Sequence, residues 1–272
     1  MYAAWYDSVV NAQTDLQRPE FICSTVDQVP DDDTKMQLDR YSADAGFDRK
    51  LLDTVIQDFK LTPFGTSYLG HRWRRSDGLT PNTDVITLGV HFLNGSENQK
   101  AIVRNAASGW LTGVLGMQMK FEFDMPRSRA QITVNFDSHR NNSIVGRASA
   151  EYARSYATMN LADVVDYIVQ HEFGHAIGLQ HEHQNPSIGI RWNKPVVLAD
   201  MAQQGWTPQM VEDNIFTVFS TSYACVGDPA FNRDSIMLYP IPSRWTLDGF
   251  HSDTNRIISS RDRRCLEGVY RA

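Results

Sequence analysis

Residues 171–181 read His171-Glu172-Phe173-Gly174-His175-Ala176-Ile177-Gly178-Leu179-Gln180-His181, which has the spacing HExxHxxGxxH. On an α-helix of about 3.6 residues per turn, His171 and His175 project from one face, so both imidazoles can reach a single cation. Gly178 can end the helix, because a residue without Cβ readily adopts positive φ, and the following turn can return His181 as a third ligand. The spacing predicts a zinc site.

Three neutral imidazoles leave one tetrahedral position of a zinc ion open to water, which is typical of catalytic sites. Glu172 is the expected base for that water. The competing interpretation is a structural zinc site, but such sites usually fill all four positions and favour Cys, which is absent from this motif.

The composition of the chain excludes some classes of partner. The chain has 272 residues and a formal net charge of −6. It contains no long basic run that would release counterions, so we expect no binding to nucleic acid or to anionic membranes. Its apolar residues are dispersed and nowhere form the run of about 18 that a membrane span needs. We therefore expect a soluble protein without a membrane span.

The first seven residues have neither a basic n-region nor an apolar h-region, so no secretory signal is visible in the sequence. Our expectation is a secreted or exported protein, with delivery as an effector as the other route. Cys23, Cys225 and Cys265 permit at most one internal disulfide. In an oxidising compartment Cys225 with Cys265 is the preferred pair, and three reduced thiols are the alternative.

Two regions of the chain differ in their sequence patterns of helices and strands. A chain of this length is typical of one domain plus an extension. Residues 1–66 contain few strand-like runs, although apolar residues at three- and four-residue intervals predict a helix over 44–60. Residues 67–272 alternate between strand and helix patterns. There we predict strands at 84–93, 117–123, 130–136 and 157–161, a helix from a Ser96 cap to 115, a motif helix from about Asp163, and helices at 195–204 and 208–218.

The zinc motif followed by a methionine turn resembles the metzincin zinc proteases. The turn is Ser235-Ile236-Met237-Leu238-Tyr239, with the tyrosine two residues after the methionine, as in astacins. The continuation His181-Glu182-His183-Gln184-Asn185-Pro186 is similar to a microbial and fungal branch of astacin-like peptidases. The resemblance covers about residues 66–272. It implies an α+β fold, with a mixed twisted sheet and two long helices in the upper half, a smaller helical lower half, and an active-site cleft between them.

The same resemblance implies a role for each site residue. It makes His171, His175 and His181 the ligands of one zinc ion, Glu172 the general base, Met237 the apolar floor beneath the metal, and Tyr239 a switchable fifth ligand that donates its hydroxyl to the oxyanion. The peptide substrate would lie extended along the strand at Ala157–Leu161 as the edge of the cleft. The sequence departs from archetypal astacins at Gln184-Asn185-Pro186 and in having too few cysteines for their disulfide framework.

These patterns predict a zinc-dependent endopeptidase, expected to be a monomer, in which Glu172 activates water at the metal. The alternatives are a latent zymogen of the same enzyme, a non-catalytic zinc-binding protein on a protease scaffold, and an amidase acting on other substrates. Residues 1–66 are either a prosegment or an N-terminal layer on the catalytic domain. In the first case the thiolate of Cys23 could fill the open zinc position. Arg244 could favour an acidic residue beyond the scissile bond.

Overall fold

The computed structural model describes residues 24–26, 71–81, 83–112, 118–219 and 230–270. Within these ranges the strands are β1 (Ser24–Val26), β2 (Ile86–Phe92), β3 (Met119–Glu122), β4 (Ile132–Asn135), β5 (Asn142–Ile144) and β6 (Met159–Asn160). These six strands form one sheet in the order β1-β5-β6-β4-β2-β3. The strand β5 pairs antiparallel with β6, and all the other neighbours are parallel, so the sheet is mixed.

The longer helices of the described upper half are α1 (Glu97–Ser108) and α3 (Asp166–Ala176), and a capping box begins α1. The Gln99 backbone N–H donates to Ser96 Oγ at 3.3 Å, and the Ser96 N–H donates to Gln99 Oε1 at 2.9 Å. Just beyond α1, Trp110 Nε1 donates to the Gln170 carbonyl at 2.6 Å and ties the two helices together. The helices are α1 (Glu97–Ser108), α2 (Ser149–Tyr152), α3 (Asp166–Ala176), α4 (Lys194–Ala202), α5 (Pro208–Val211) and α6 (Ser260–Tyr270).

The core lies between the sheet and these two long helices. Strand side chains that alternate along β2 and β4 point to the helices, and both helices present apolar stripes to them. Fully or almost fully buried members of this layer are Leu88, Val90, Ile132, Val134, Met159, Val103, Ala107, Trp110, Val169 and Phe173. The motif helix α3 is therefore fixed from both sides, with the sheet below it and α1 beside it.

Most of the predicted elements are present, with shorter bounds. The helix predicted at 208–218 is α5 followed directly by a π-helix, Glu212–Phe216. The motif helix begins three residues later than predicted, because the carboxylate of Asp163 accepts a hydrogen bond from Asn141 Nδ2 at 3.1 Å and does not cap the helix. The helix predicted at 44–60 and the proposed boundary at residue 66 lie outside the described residues.

The prediction that the strand at Ala157–Leu161 is the edge of the cleft against which an extended peptide pairs is wrong. A strand is present there as β6, but β6 is hydrogen-bonded to β4 on one side and to β5 on the other. A strand paired on both sides has no free backbone donors and acceptors for a peptide. The outer strands on this side are β5 and, beyond it, β1. The strand β5 was not predicted, because Asn142–Ile144 is short and mostly polar.

Candidate metal centre

The three motif histidines converge on one point. His175 Nε2 lies 3.1 Å from His171 Nε2 and 3.1 Å from His181 Nε2. Zinc–nitrogen bonds of about 2.0–2.1 Å in a tetrahedron place the nitrogens about 3.3 Å apart, so this spacing suits one zinc ion. All three side chains are buried. Among the described residues, they form the cluster able to hold a metal.

Backbone carbonyls set the orientation of two of these rings. His171 Nδ1 lies 2.7 Å from the Ile236 carbonyl, and His175 Nδ1 lies 2.8 Å from the Leu179 carbonyl. A carbonyl can only accept, so each Nδ1 carries the proton and each Nε2 turns its lone pair toward the centre. Burial lowers the pKa of His171 to about 4 and the pKa values of His175 and His181 well below their usual range. Neutral imidazoles of this kind fit a zinc ion.

A Schellman turn carries the chain from α3 to the third histidine. Gly178 has φ of +101°, a conformation that strongly favours glycine. The Leu179 N–H donates to the Gly174 carbonyl at 2.9 Å, and the Gly178 N–H donates to the His175 carbonyl at 2.8 Å. The predicted helix stop at Gly178 and the return of His181 are both present.

The other predicted site residues lie around this centre. Glu172 follows His171 on α3 and is fully buried. The ring centre of Tyr239, a buried residue, is 4.3 Å from that of His181 and 6.5 Å from that of His171. Met237 is buried directly against Gly174 of α3. The structure brings these groups together with the triad, whereas Cys23 lies outside the described residues.

Sequence reasoning missed Asp262, which holds the methionine turn. Its carboxylate accepts from Ser235 Oγ at 2.5 Å and from the Ile236 N–H at 3.0 Å. The carbonyl of the same Ile236 holds His171, so α6 is linked to the metal centre through one residue. The missed signal was a capping box, in which Ser259 and Asp262 bond each other's backbone N–H at the start of α6.

The side chains of Glu182 and Arg244 both have polar partners within the protein. The Glu182 carboxylate accepts from the Asn232 N–H at 2.7 Å and from Asn185 Nδ2 at 3.0 Å, and burial raises its pKa to about 7. Arg244 forms an ion pair with Asp200 of α4, which compensates the charge that was expected to select an acidic substrate residue. That specificity remains a prediction.

Two solved structures of myroilysin are similar to this chain. One has 27% sequence identity and a TM-score of 0.64, and the match covers 76% of this chain and 99% of that chain. The other has 26% identity and a TM-score of 0.53, and covers 76% and 89%. A weaker match is high choriolytic enzyme 1, a hatching enzyme zinc-protease from the medaka fish Oryzias latipes, with 16% identity, a TM-score of 0.48, and coverage of 68% and 90%. No protein-family model and no curated protein matches the sequence.

Proposed function

We infer that this chain, an astacin-like metzincin in its fold and its histidine triad, is a zinc-dependent metalloendopeptidase. One observation carries the inference: three buried, neutral imidazoles point their Nε2 atoms at one centre. They do so in a fold shared with nearly the whole of a myroilysin structure. A zinc ion bound there supplies Lewis acidity that makes water a nucleophile near neutral pH.

Glu172 is the proposed general base. It is the residue after His171 on α3, and it is fully buried beside the triad. In this role its carboxylate accepts a proton from the attacking water and returns it to the leaving nitrogen of the peptide. Tyr239 is the proposed hydrogen-bond donor to the oxyanion, supported by its contact with the ring of His181. Met237 is proposed as the apolar floor, supported by its packing against Gly174.

The proposed substrate is an extended peptide that pairs with β5 and not with β6. Within the described part of residues 67–272, β5 and β3 are the two edge strands of the sheet, and β5 packs against α3. Its outer backbone groups would bind a peptide by strand addition. In the full chain, however, β1 pairs with β5 in register, Ser24 with Asn142 and Val26 with Ile144.

We therefore propose that residues 1–66 act as a prosegment. The support is that β1 belongs to this region and takes the edge of β5 that a substrate needs. Cys23 immediately precedes β1 in sequence, which is consistent with its proposed role as a latent-state zinc ligand, although Cys23 itself is outside the described residues.

Trimming tests this latency. Removal of residues 1–66 takes away β1 and is expected to raise peptide cleavage, whereas removal of residues 1–20 leaves β1 in place and serves as the matched control. A Cys23→Ala variant measures the contribution of the thiolate separately. If the two trimmed proteins are equally active, β1 does not hold the enzyme latent.

Export of the protein is a further part of the proposal. Cys265 takes part in a disulfide bond, and disulfides persist mainly in oxidising compartments. Its partner, predicted to be Cys225, lies outside the described residues. A count of three free thiols in the unreduced, purified protein would contradict export.

The activity itself is tested with a quenched fluorescent peptide library and the purified protein trimmed of residues 1–66. We expect cleavage that a chelator abolishes and added zinc restores, with one zinc bound per chain. Cleavage of non-peptide amides without cleavage of any peptide would favour the amidase. Zinc binding without any hydrolysis would favour a non-catalytic zinc-binding protein.

A further inference from the structure

His183 is a buried imidazole beside the metal centre that does not belong to the ligand cluster. Its ring centre lies 4.3 Å from that of Tyr239, with 31° between the two planes. The ring of Tyr239 also lies 4.3 Å from His181, at a steeper angle of 59°. The ring of Tyr239 therefore packs against two imidazoles. One belongs to His181, a proposed zinc ligand, and the other belongs to His183, whose plane is more nearly parallel to that of Tyr239.

A π-helix fixes the ring of His183 on the other side. His183 Nε2 lies 2.8 Å from the carbonyl of Asn214, and Gln184 Nε2 donates to the carbonyl of Asp213 at 2.8 Å. Both carbonyls belong to Glu212–Phe216, at the end of its helix, where carbonyls lack intrahelical partners. Single π-helical turns occur frequently at functional sites. The ring is thus anchored to a defined backbone element and is not free to turn.

Packing alone does not account for an imidazole at this position. Because the Asn214 carbonyl accepts a hydrogen bond, Nε2 of His183 carries the proton and Nδ1 is left as an acceptor. This Nδ1 is buried and has no hydrogen-bond partner among the described residues. An unsatisfied buried acceptor costs stability, and an apolar side chain of similar volume would avoid that cost.

We propose that His183 is a positioning residue whose anchored ring face sets where the Tyr239 ring rests, and so how often the tyrosine hydroxyl lies at the metal. This inference rests on the proposed role of Tyr239. A ring pair at this separation is strong enough to shift an equilibrium between two tyrosine positions about two- to tenfold. His183 would then act on turnover through Tyr239, without touching the substrate.

The test compares His183→Phe with His183→Leu in the chain trimmed of residues 1–66. Both variants lose the bond to Asn214, and they differ in whether an aromatic face remains under Tyr239. We expect kcat of the leucine variant to be about two- to tenfold below that of the phenylalanine variant, with similar KM and one zinc per chain. This loss is smaller than the 10²–10³-fold or so that loss of an oxyanion donor causes. If the leucine variant does not bind zinc, His183→Met replaces it.

A second readout follows the tyrosine directly. Imidazole triads also bind Cu²⁺, and a tyrosine phenolate bound to Cu²⁺ gives a visible charge-transfer absorption. With copper in place of zinc, we expect this absorption in the parent and in His183→Phe, and a clearly weaker absorption in His183→Leu. Equal absorption and equal kcat in the two variants would overturn the proposal.

Three further variants separate this proposal from the role of Tyr239 on which it rests: Tyr239→Phe alone, and His183→Phe and His183→Leu each combined with Tyr239→Phe. Tyr239→Phe must abolish the absorption and lower kcat; if it does neither, the tyrosine role fails and the His183 proposal fails with it. In a Tyr239→Phe background, the change from phenylalanine to leucine at position 183 should alter kcat less than about twofold. A loss in that background as large as the loss with Tyr239 present would show that His183 acts only on the packing of the site.

Discussion

At the scale of single residues, Gly174 shows how closely the methionine turn fits the motif helix. A Cβ on Gly174 would clash with the sulfur of Met237 and would lie 2.9 Å from Trp110 Cζ2. Gly174 lies between Glu172 and His175, so Met237 reaches the backbone of α3 within the zinc motif. The backbone of Gly174 is helical and does not itself require glycine. The glycine is required because of this close approach of Met237.

Gly174→Ala is expected to lower the free energy of unfolding by about 1–3 kcal/mol, because the added methyl group must push the methionine turn away from α3. The Ile236 carbonyl, which orients His171, moves with that turn, so zinc affinity should fall as well. Urea unfolding of the metal-free protein and a zinc titration measure the two effects. An unchanged unfolding midpoint together with unchanged zinc affinity would show that the packing is looser than the structure indicates.

At the scale of elements, the end of α3 is held by residues from distant parts of the described chain. Trp73 Nε1 donates to the Ala176 carbonyl at 2.8 Å, and the Tyr270 hydroxyl donates to the Ile177 carbonyl at 2.8 Å. The Trp73 N–H in turn donates to the Tyr270 hydroxyl at 3.1 Å. These bonds satisfy helix-end carbonyls and fix the turn that delivers His181.

Tyr270→Phe is expected to cost about 1–3 kcal/mol, because it leaves the Ile177 carbonyl and the Trp73 N–H without this partner. Tyr156→Phe is the matched control, since the Tyr156 hydroxyl forms no hydrogen bond within the part of the chain that the structure describes. Chemical unfolding of both variants measures the difference. Equal effects of the two substitutions would contradict a specific role of Tyr270 at the helix end.

The elements that could be predicted from sequence are those with a local signal. The ligand spacing in α3, the glycine stop at Gly178 and the Ser96 cap of α1 each depend on neighbouring residues alone. The strands β1 and β5 could not be predicted from the sequence. Each is only three residues long and has no apolar alternation, so it becomes a strand only by pairing with neighbouring strands. The same reason hid the position of β6 inside the sheet, which depends on which strands lie beside it.

The metal centre divides in the same way between local and long-range contacts. The three ligands and the neighbouring glutamate follow from one helix and one turn. The bonds of Asp262 to the methionine turn and of His183 to Asn214 join segments 26 and 31 residues apart. Spacing along the chain carries no information about such contacts, and only the capping box at Ser259 marked Asp262 in advance.

At the scale of the whole molecule, the buried imidazoles make stability depend on pH. Burial lowers the pKa values of His171 to about 4 and of His183 to about 3, and shifts His175 and His181 in the same direction. In the unfolded chain these groups have pKa values of about 6.5, so below that pH the unfolded state binds more protons and stability falls. Buried Glu182 and Asp262 have raised pKa values and act in the opposite direction, but they are two groups against four.

We therefore expect the urea concentration at the unfolding midpoint of the metal-free protein to decrease as the pH is lowered from 7 to 5. Each unopposed proton taken up by the unfolded state changes the free energy of unfolding by about 1.4 kcal/mol per pH unit. Zinc affinity of the folded protein should be unchanged over the same range and fall only toward about pH 4, where protons begin to compete for Nε2 of His171. A midpoint that is constant or that rises toward pH 5 would contradict the neutral, buried state of the triad.

The most direct measurement of the proposed function is the activity of Glu172→Gln, assayed on the peptide library in the chain trimmed of residues 1–66. The substitution keeps the shape of the side chain but removes the base. We predict one zinc per chain, an unchanged unfolding midpoint, and cleavage reduced by at least about a hundredfold. Cleavage at the parent rate, with zinc still bound, would contradict the assignment of Glu172 as the base in a zinc peptidase.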